Sequence, residues 1–366
     1  MAFLSCNPNV FVVGGDYQLV VMCEELGICT LCVGGEVFYD TVDGILKTQR
    51  CHKFVLPQSV LDEAKGYSLA FAPLIEKKSY WSTHGEEQTV SFSFRPIEKT
   101  EEIHAIYLAD IHDMYDKALT PARYFGEELD LLIMNGDFGE LNSEGDFVRL
   151  LSFLGTVTRG EIPLIFGRGN HDTRGKMSEN LTEYIGTEHG KTYFDFTVGP
   201  LSGFILDCGE DKPDAHEVYG GFNCFEVFRH QELRFLKSLK PAPRPYFFAI
   251  CHVPFMYSGA MTGEFAIMPE LYREWGKCVD ALNPDFMICG HMHKHSRLVP
   301  NDERSLFPHG YPVAIASAWK SVEGETLPRL SFSAITWHKD ETEISYIDED
   351  ASVIETFSYP TRRALR

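Results

Sequence analysis

The chain has 366 residues, enough for two domains of ordinary size, and its 44% hydrophobic and 23% charged side chains are those of a globular protein. Its 53 acidic and 33 basic residues leave a formal charge of −20, and a surface of that sign repels polyanions, so nonspecific nucleic-acid binding is disfavoured. No apolar run is long enough to cross a bilayer, and 10 cysteines scattered through this length do not make a disulfide scaffold.

The opening residues, Met1 to Cys6, carry neither a basic start nor an apolar core. No secretory leader is expected in the chain as it stands, and a cytoplasmic setting is, with a leader removed ahead of this numbering as the alternative. Up to about residue 98, strand-like runs at 9–13, 17–22, 28–33, 36–39, 52–56, 67–73 and 88–94 alternate with turn chemistry such as Gly14-Gly15, Gly34-Gly35 and Asp43-Gly44. One helical possibility, 59–65, is short. This texture predicts an antiparallel β-sandwich domain over residues 1–98. Cys29 and Cys32 form a C-x-x-C without the second pair that a zinc ribbon needs, so core thiols are expected there, as for Cys251 and Cys289 inside apolar runs.

From 99 to 366 strands alternate with helical patterns, which predicts a mixed α/β domain with two sheets in the middle and helices outside, a four-layer α/β/β/α arrangement. Strand 103–109 runs into Asp110-Ile111-His112, and strand 131–134 into Asn135-Gly136-Asp137. An amphipathic helix at 143–157 sets Phe147, Leu150, Leu151 and Leu154 on one stripe. Strand 163–166 leads into Gly167-Arg168-Gly169-Asn170-His171-Asp172. A helix near 230–239 precedes strand 246–251 and His252, and a helix near 270–282 precedes strand 285–289 and Gly290-His291-Met292-His293. The tail is strand-like again at 311–315, 329–336 and 343–347.

The carboxyl ends of strands line the ligand crevice of α/β sheets, so these five strand ends can aim imidazoles and carboxylates at one point. Neutral His and ionised Asp suit borderline divalent metals, and Asn adds an amide oxygen. Two such ions need a spacing of about 3.5–4 Å, which a shared carboxylate holds. Each lowers the pKa of a bound water, and together they draw charge from a phosphate. Asp-x-His or Gly-Asp alone says little. Gly-Asn-His-Asp says more, Gly-His-x-His more again, and the ordered set, each member after a strand, is specific. No activated Ser, Cys or His nucleophile is evident, so no phosphoenzyme is needed.

In these motifs, which run from residue 110 to 293, the chain resembles the calcineurin-like metallophosphoesterase superfamily. The resemblance implies hydrolysis of a small phosphate ester by in-line attack of a hydroxide bridging two divalent ions, such as Mn, Fe or Zn; monoester, diester and pyrophosphate substrates all stay open. It implies Asp110, His112 and His293 as ligands of the first ion, Asn170, His252 and His291 of the second, and Asp137 as the bridge. His171 would stand over the phosphate and donate a hydrogen bond or a proton to the leaving oxygen. Asp172 would either orient His171 or cap the turn. The motif context of His252 is thin, but its rivals, His216 and His230, end no apolar strand.

The sandwich resembles the fibronectin-like N-terminal domain of purple acid phosphatases. Those enzymes carry a Tyr three residues after the bridging Asp, where this chain has Glu140, and lack the His that stands here as His112. A conventional, colourless dimetal site is therefore expected, with Glu140 a solvated loop residue. Arg168, Arg174, Lys294, His295 and Arg297 either grip the substrate or balance an acidic surface. Phe255 and Tyr257 either wall the pocket or pack the loop. A nucleotide pyrophosphatase and a metal-holding scaffold for a protein partner are the alternative readings; no membrane or nucleic-acid partner is expected.

Overall fold

The computed structural model describes residues 3–362; Met1 and Ala2, at the head of the segment read as lacking a leader, lie outside them. The chain opens with β1 (Asn9–Val13), turns at Gly14 and returns as β2 (Asp16–Val33). The runs expected at 17–22 and 28–33 are thus one 18-residue strand, whose pairing slips between Met22 and Gly27. Gly27 stands at the slip because the Phe71 ring presses on it; a Cβ there would lie 2.3 Å from the ring. β3 (Gln49–Pro57) pairs mainly with the first half of β2, β4 (Gly66–Glu76) with the second, and β5 (Gln88–Ser93) with β4.

The α/β unit begins with β6 (Ile103–Leu108), β7 (Leu131–Asn135), α1 (Glu144–Thr158) and β8 (Pro163–Gly167), the three strands parallel. A hairpin follows, β9 (Phe194–Val198) and β10 (Leu201–Leu206), then α2 (Phe225–Ser238), β11 (Tyr246–Cys251), α3 (Pro269–Leu282), β12 (Met287–Cys289) and β13 (Val313–Ile315). The tail returns to the first sheet as β14 (Arg329–Trp337), β15 (Glu341–Asp348) and β16 (Val353–Pro360). β10, β11, β12 and β13 form the parallel heart of the second sheet.

Strand alternation sorts the side chains into layers. Ala105 and Tyr107 of β6 point between the sheets, where they join Ile133, Ile205, Phe248 and Ile288. Ile106 and Leu108 point the other way, under Leu150, Leu151 and Leu154 of α1. Beyond the second sheet, Phe247 and Ala249 meet Trp275 and Val279 of α3. The order is α/β/β/α, as the sequence predicts. The cysteines form no disulfide, and Cys29, Cys251 and Cys289 are buried. No helix among the described residues is long and apolar enough to cross a membrane.

Two expectations change. The N-terminal antiparallel strands precede the α/β unit, consistent with a sandwich there, but they are not a body apart. β1 pairs in parallel with β8, Val10 beside Pro163 and Phe11 beside Leu164, so the first sheet runs on through β1 into β2 and β4. Val10, Val12, Tyr17 and Leu31 share one core with Ala105, Ile165 and Phe196. The division at 98/99 marks a change of sequence texture, not a gap between two cores; β1 covers what would otherwise be the open edge of β8. The helix expected near 230–239 starts at Phe225, because the Asp214 carboxylate accepts the main-chain N–H groups of Phe225 and Glu226 and so caps it from outside the local pattern.

Candidate metal centre

The parallel strands β6, β7 and β8 in one sheet and β11 and β12 in the other all release their loops at the same end of the molecule. Those loops are stitched together through the main chain. Asp110 N–H donates to Gly136 O (3.1 Å), His112 N–H to Asp137 O (3.0 Å) and Gly290 N–H to His252 O (3.0 Å). Asp110, His112, Asp137, His291 and His293 all hold positive φ, between 44° and 71°. Such backbone costs about 1–3 kcal/mol per residue and persists only where the surroundings over-determine it. The motif glycines lie where ligand carboxylates pass closest: a Cβ on Gly169 would stand 2.3 Å from Asp137 Oδ1, and one on Gly290 2.8 Å from Asp110 Oδ2.

All seven candidate ligands stand together. Asp110, His112 and His293 offer ligand atoms within 4.8 Å of one another, as do Asp137, His252 and His291. His293 Nε2 is 3.3 Å from both Asp110 Oδ1 and His112 Nε2. Asp137 Oδ2 lies between the two groups, 3.6 Å from His112 Nε2 and 3.2 Å from His252 Nε2. Asn170 Oδ1 is 3.0 Å from His291 Nδ1. The rivals of His252 stand apart: His216 pairs with Glu264 at 3.2 Å, and His230 is exposed on α2.

The donor set fits divalent cations. Asp110 and Asp137 are buried carboxylates in one small space. His252 is also buried. Its Nδ1 faces Asn135 O at 2.6 Å, which leaves Nε2 turned to the two carboxylates, 3.2 Å from Asp137 Oδ2 and 3.7 Å from Asp110 Oδ1. Burial pushes the His252 pKa down, but the charge of Asp137, its hydrogen bond and then the charge of Asp110 outweigh it and hold the ring at about 10. The position calls for positive charge, which a metal ion supplies in place of the proton. Burial pushes His112 and His291 down to about 4, leaving neutral imidazoles, the form that ligates.

The structure separates the two roles weighed for Asp172. Its buried carboxylate accepts main-chain N–H groups of Asp137 (3.0 Å), Phe138 (3.2 Å) and Gly169 (2.7 Å). It braces the two ligand loops, and the orienting contact with the His171 ring is not among its bonds. Burial, then the charge of Asp137, raises its pKa to about 7. His171 faces His112 edge to face with ring centroids 4.7 Å apart; it also offers a ligand atom within 4.8 Å of those of His112 and Asp137, and Arg174 Nη1 lies 3.2 Å from its ring nitrogens.

Of the five unassigned basic residues, Arg168 is bound to Asp207 at 2.7 Å, Arg297 to Glu355 at 2.6 Å, and His295 stacks on Tyr346 at 3.8 Å. Lys294 is exposed, and Arg174 alone lies against the site. Phe255 is buried against Tyr272 and Trp275, which is loop packing. Glu140 is an exposed loop residue beside a cavity of about 590 Å³ that His112, His171 and Arg174 also line. Two neighbours of the centre were missed in the sequence. Ser317 Oγ donates to Asp110 Oδ2; the Trp319 indole donates to Asp110 O (2.9 Å) and its ring stacks on His293 at 3.8 Å. Both follow β13, so the strand-end rule that found the other motifs reaches them too.

Residues 103–295 match the family model of the calcineurin-like phosphoesterases. No curated protein matches the chain by sequence. Among solved structures, the purple acid phosphatase PPD1 from yellow lupin (Lupinus luteus) seeds superposes with a TM-score of 0.58 at 13% identity, over 96% of this chain and 73% of that one. PhoD superposes with a TM-score of 0.57 at 10% identity, over 99% and 91%. Likeness at such identity speaks for the fold alone.

Proposed function

Because the chain belongs to the calcineurin-like phosphoesterase family, a family of metal-dependent hydrolases acting on phosphoric ester bonds, we propose that it cleaves a small phosphate ester at a centre of two divalent ions. Asp110, His112 and His293 would hold one, Asn170, His252 and His291 the other, and Asp137 both. The ions, when bound, would polarise the phosphoryl group and bring the pKa of the attacking water toward neutrality. The chain's own part is positional. Ser317 and Trp319 fix Asp110 and His293, the Asn135 carbonyl fixes the tautomer of His252, and Asp172 ties the Asp137 loop to the Gly169 loop. His171, beside the ligand rings, would donate to the leaving oxygen.

The observation that carries this reading is the position of Asp137 Oδ2, within 3.6 Å of a ring nitrogen from each half of the cluster. Elemental analysis of protein prepared with ample manganese, iron or zinc is expected to approach two ions per chain, with hydrolysis of aryl phosphates that chelation abolishes and metal restores. Asp137→Asn is expected to lower both metal content and turnover. One tight ion per chain, indifferent to that substitution, would remove the shared carboxylate from the scheme.

A further inference from the structure

We propose that Arg174 selects the substrate: its guanidinium takes a nonesterified oxygen of a phosphate monoester dianion and so favours monoesters over diesters. The inference rests on the phosphoesterase reading above and names the substrate class for that site.

The argument begins with what holds the side chain. Arg174 Nε and Nη2 form a fork on the two oxygens of Glu210, at 2.8 and 2.7 Å. Glu210 is buried and also accepts from Thr173 Oγ1 (2.9 Å) and the Tyr219 hydroxyl (2.8 Å). A buried carboxylate is costly unless its lone pairs are filled, and here all of that machinery converges on one arginine. Nη1 is the part of the fork that Glu210 does not use. It stands 3.2 Å from both ring nitrogens of His171. An in-plane bond cannot serve both nitrogens of one imidazole, so Nη1 lies against the ring, at the edge of the cavity that His112, His171 and Arg174 line together. About a third of the side chain is exposed, on that side of a loop otherwise pinned to Glu210.

The other cations near the centre are consumed. Arg168 pairs with buried Asp207 and lies over the rings of Phe225 and Phe228, and Lys212 pairs with Asp211 and lies over Phe265. Arg174 is paired too, with Glu210 and Asp211, but of these cations it is the one that lines the cavity with His112 and His171, and so the one placed to meet a phosphate there. A monoester dianion offers three nonesterified oxygens. A diester offers two and carries one charge less, so an added fork gains more on the monoester. Glu210, with Asp211 3.5 Å from Nη2, offsets part of the arginine's charge but fixes its direction, which is what discrimination needs.

The test uses the full-length, metal-loaded protein and the variants R174K and R174Q, with 4-nitrophenyl phosphate, bis(4-nitrophenyl) phosphate and calorimetric titration of inorganic phosphate. R174K keeps a charge on Glu210 and guards against loss of fold, which thermal melting and metal content check. The expected result is a kcat/KM for the monoester about 10- to 100-fold lower in both variants, the size of a lost charge-assisted hydrogen bond, with the diester changed much less and phosphate bound correspondingly more weakly. If folded, metal-loaded R174K loses both esters equally, or neither, Arg174 is a loop brace and the proposal is overturned. If the unmodified protein cleaves neither ester, the phosphoesterase reading fails separately. The phosphate titration then decides alone: unchanged affinity in R174K overturns the grip, and weakened affinity upholds it.

Discussion

His171 and His291 sit at one centre with different company, and the roles proposed for them differ in what a substitution should do. His291 faces Asn170 Oδ1 and converges with Asp137 and His252, whereas His171 stands with His112 and Asp137 and has Arg174 against its ring nitrogens. His171→Asn is expected to keep its metal and lose about 10²–10⁴-fold in turnover on esters with poor leaving groups, with a smaller loss for nitrophenol. His291→Asn is expected to lose an ion and to recover part of its rate at high metal concentration. Metal analysis paired with rates over a leaving-group series distinguishes the two; an equal loss for every leaving group in His171→Asn would make that ring a fixed electrostatic stabiliser. At this scale the sequence was most legible where an apolar strand ran straight into a polar motif, as at Asp110, Asp137 and His291. It was silent where a partner comes from far along the chain: nothing near Arg174 announces Glu210, and nothing near Asp172 announces the amide of Phe138.

Secondary structure shows the same division. β6, β7, β8 and β11 are short apolar runs with clear ends, and α1 has a clean stripe, so each fell within a residue or two of its place. The hairpin of β9 and β10 was not read, because Gly203 interrupts the run Leu201–Leu206. The structure supplies the reason for that glycine: a Cβ would stand 2.3 Å from Phe248 O and 2.5 Å from the Phe196 ring. Gly203→Val improves strand propensity on paper but is expected to destabilise the protein by about 1–3 kcal/mol, since the overpacked position sits between two strands. A thermal melt checks it, and an unchanged or higher Tm would mean that β10 and β11 can part around Phe248 O, and the Phe196 ring can move, at no cost.

For the whole molecule, every candidate ligand lies after residue 99, yet the segment 99–366 is not expected to fold alone. Removing residues 1–98 uncovers the edge of β8 and deletes Val10, Val12, Tyr17 and Leu31 from a core shared with Ala105 and Ile165. The truncated chain should lack near-ultraviolet circular dichroism and a cooperative melt. A sharp transition together with bound metal would show that the α/β unit closes without β1. The same pairing sets a schedule for synthesis. Val10 leaves the ribosome early, but its neighbour Pro163 is not yet made. At about 5–20 residues per second the delay is on the order of ten seconds or more, during which β1 and β2 can form their hairpin but β1 keeps one edge bare. On that side of β1 the strands are made in the reverse of their distance from it, β6 and β7 before β8, so the seam closes last, and the nascent chain must keep that first edge from pairing with a stranger until β8 arrives.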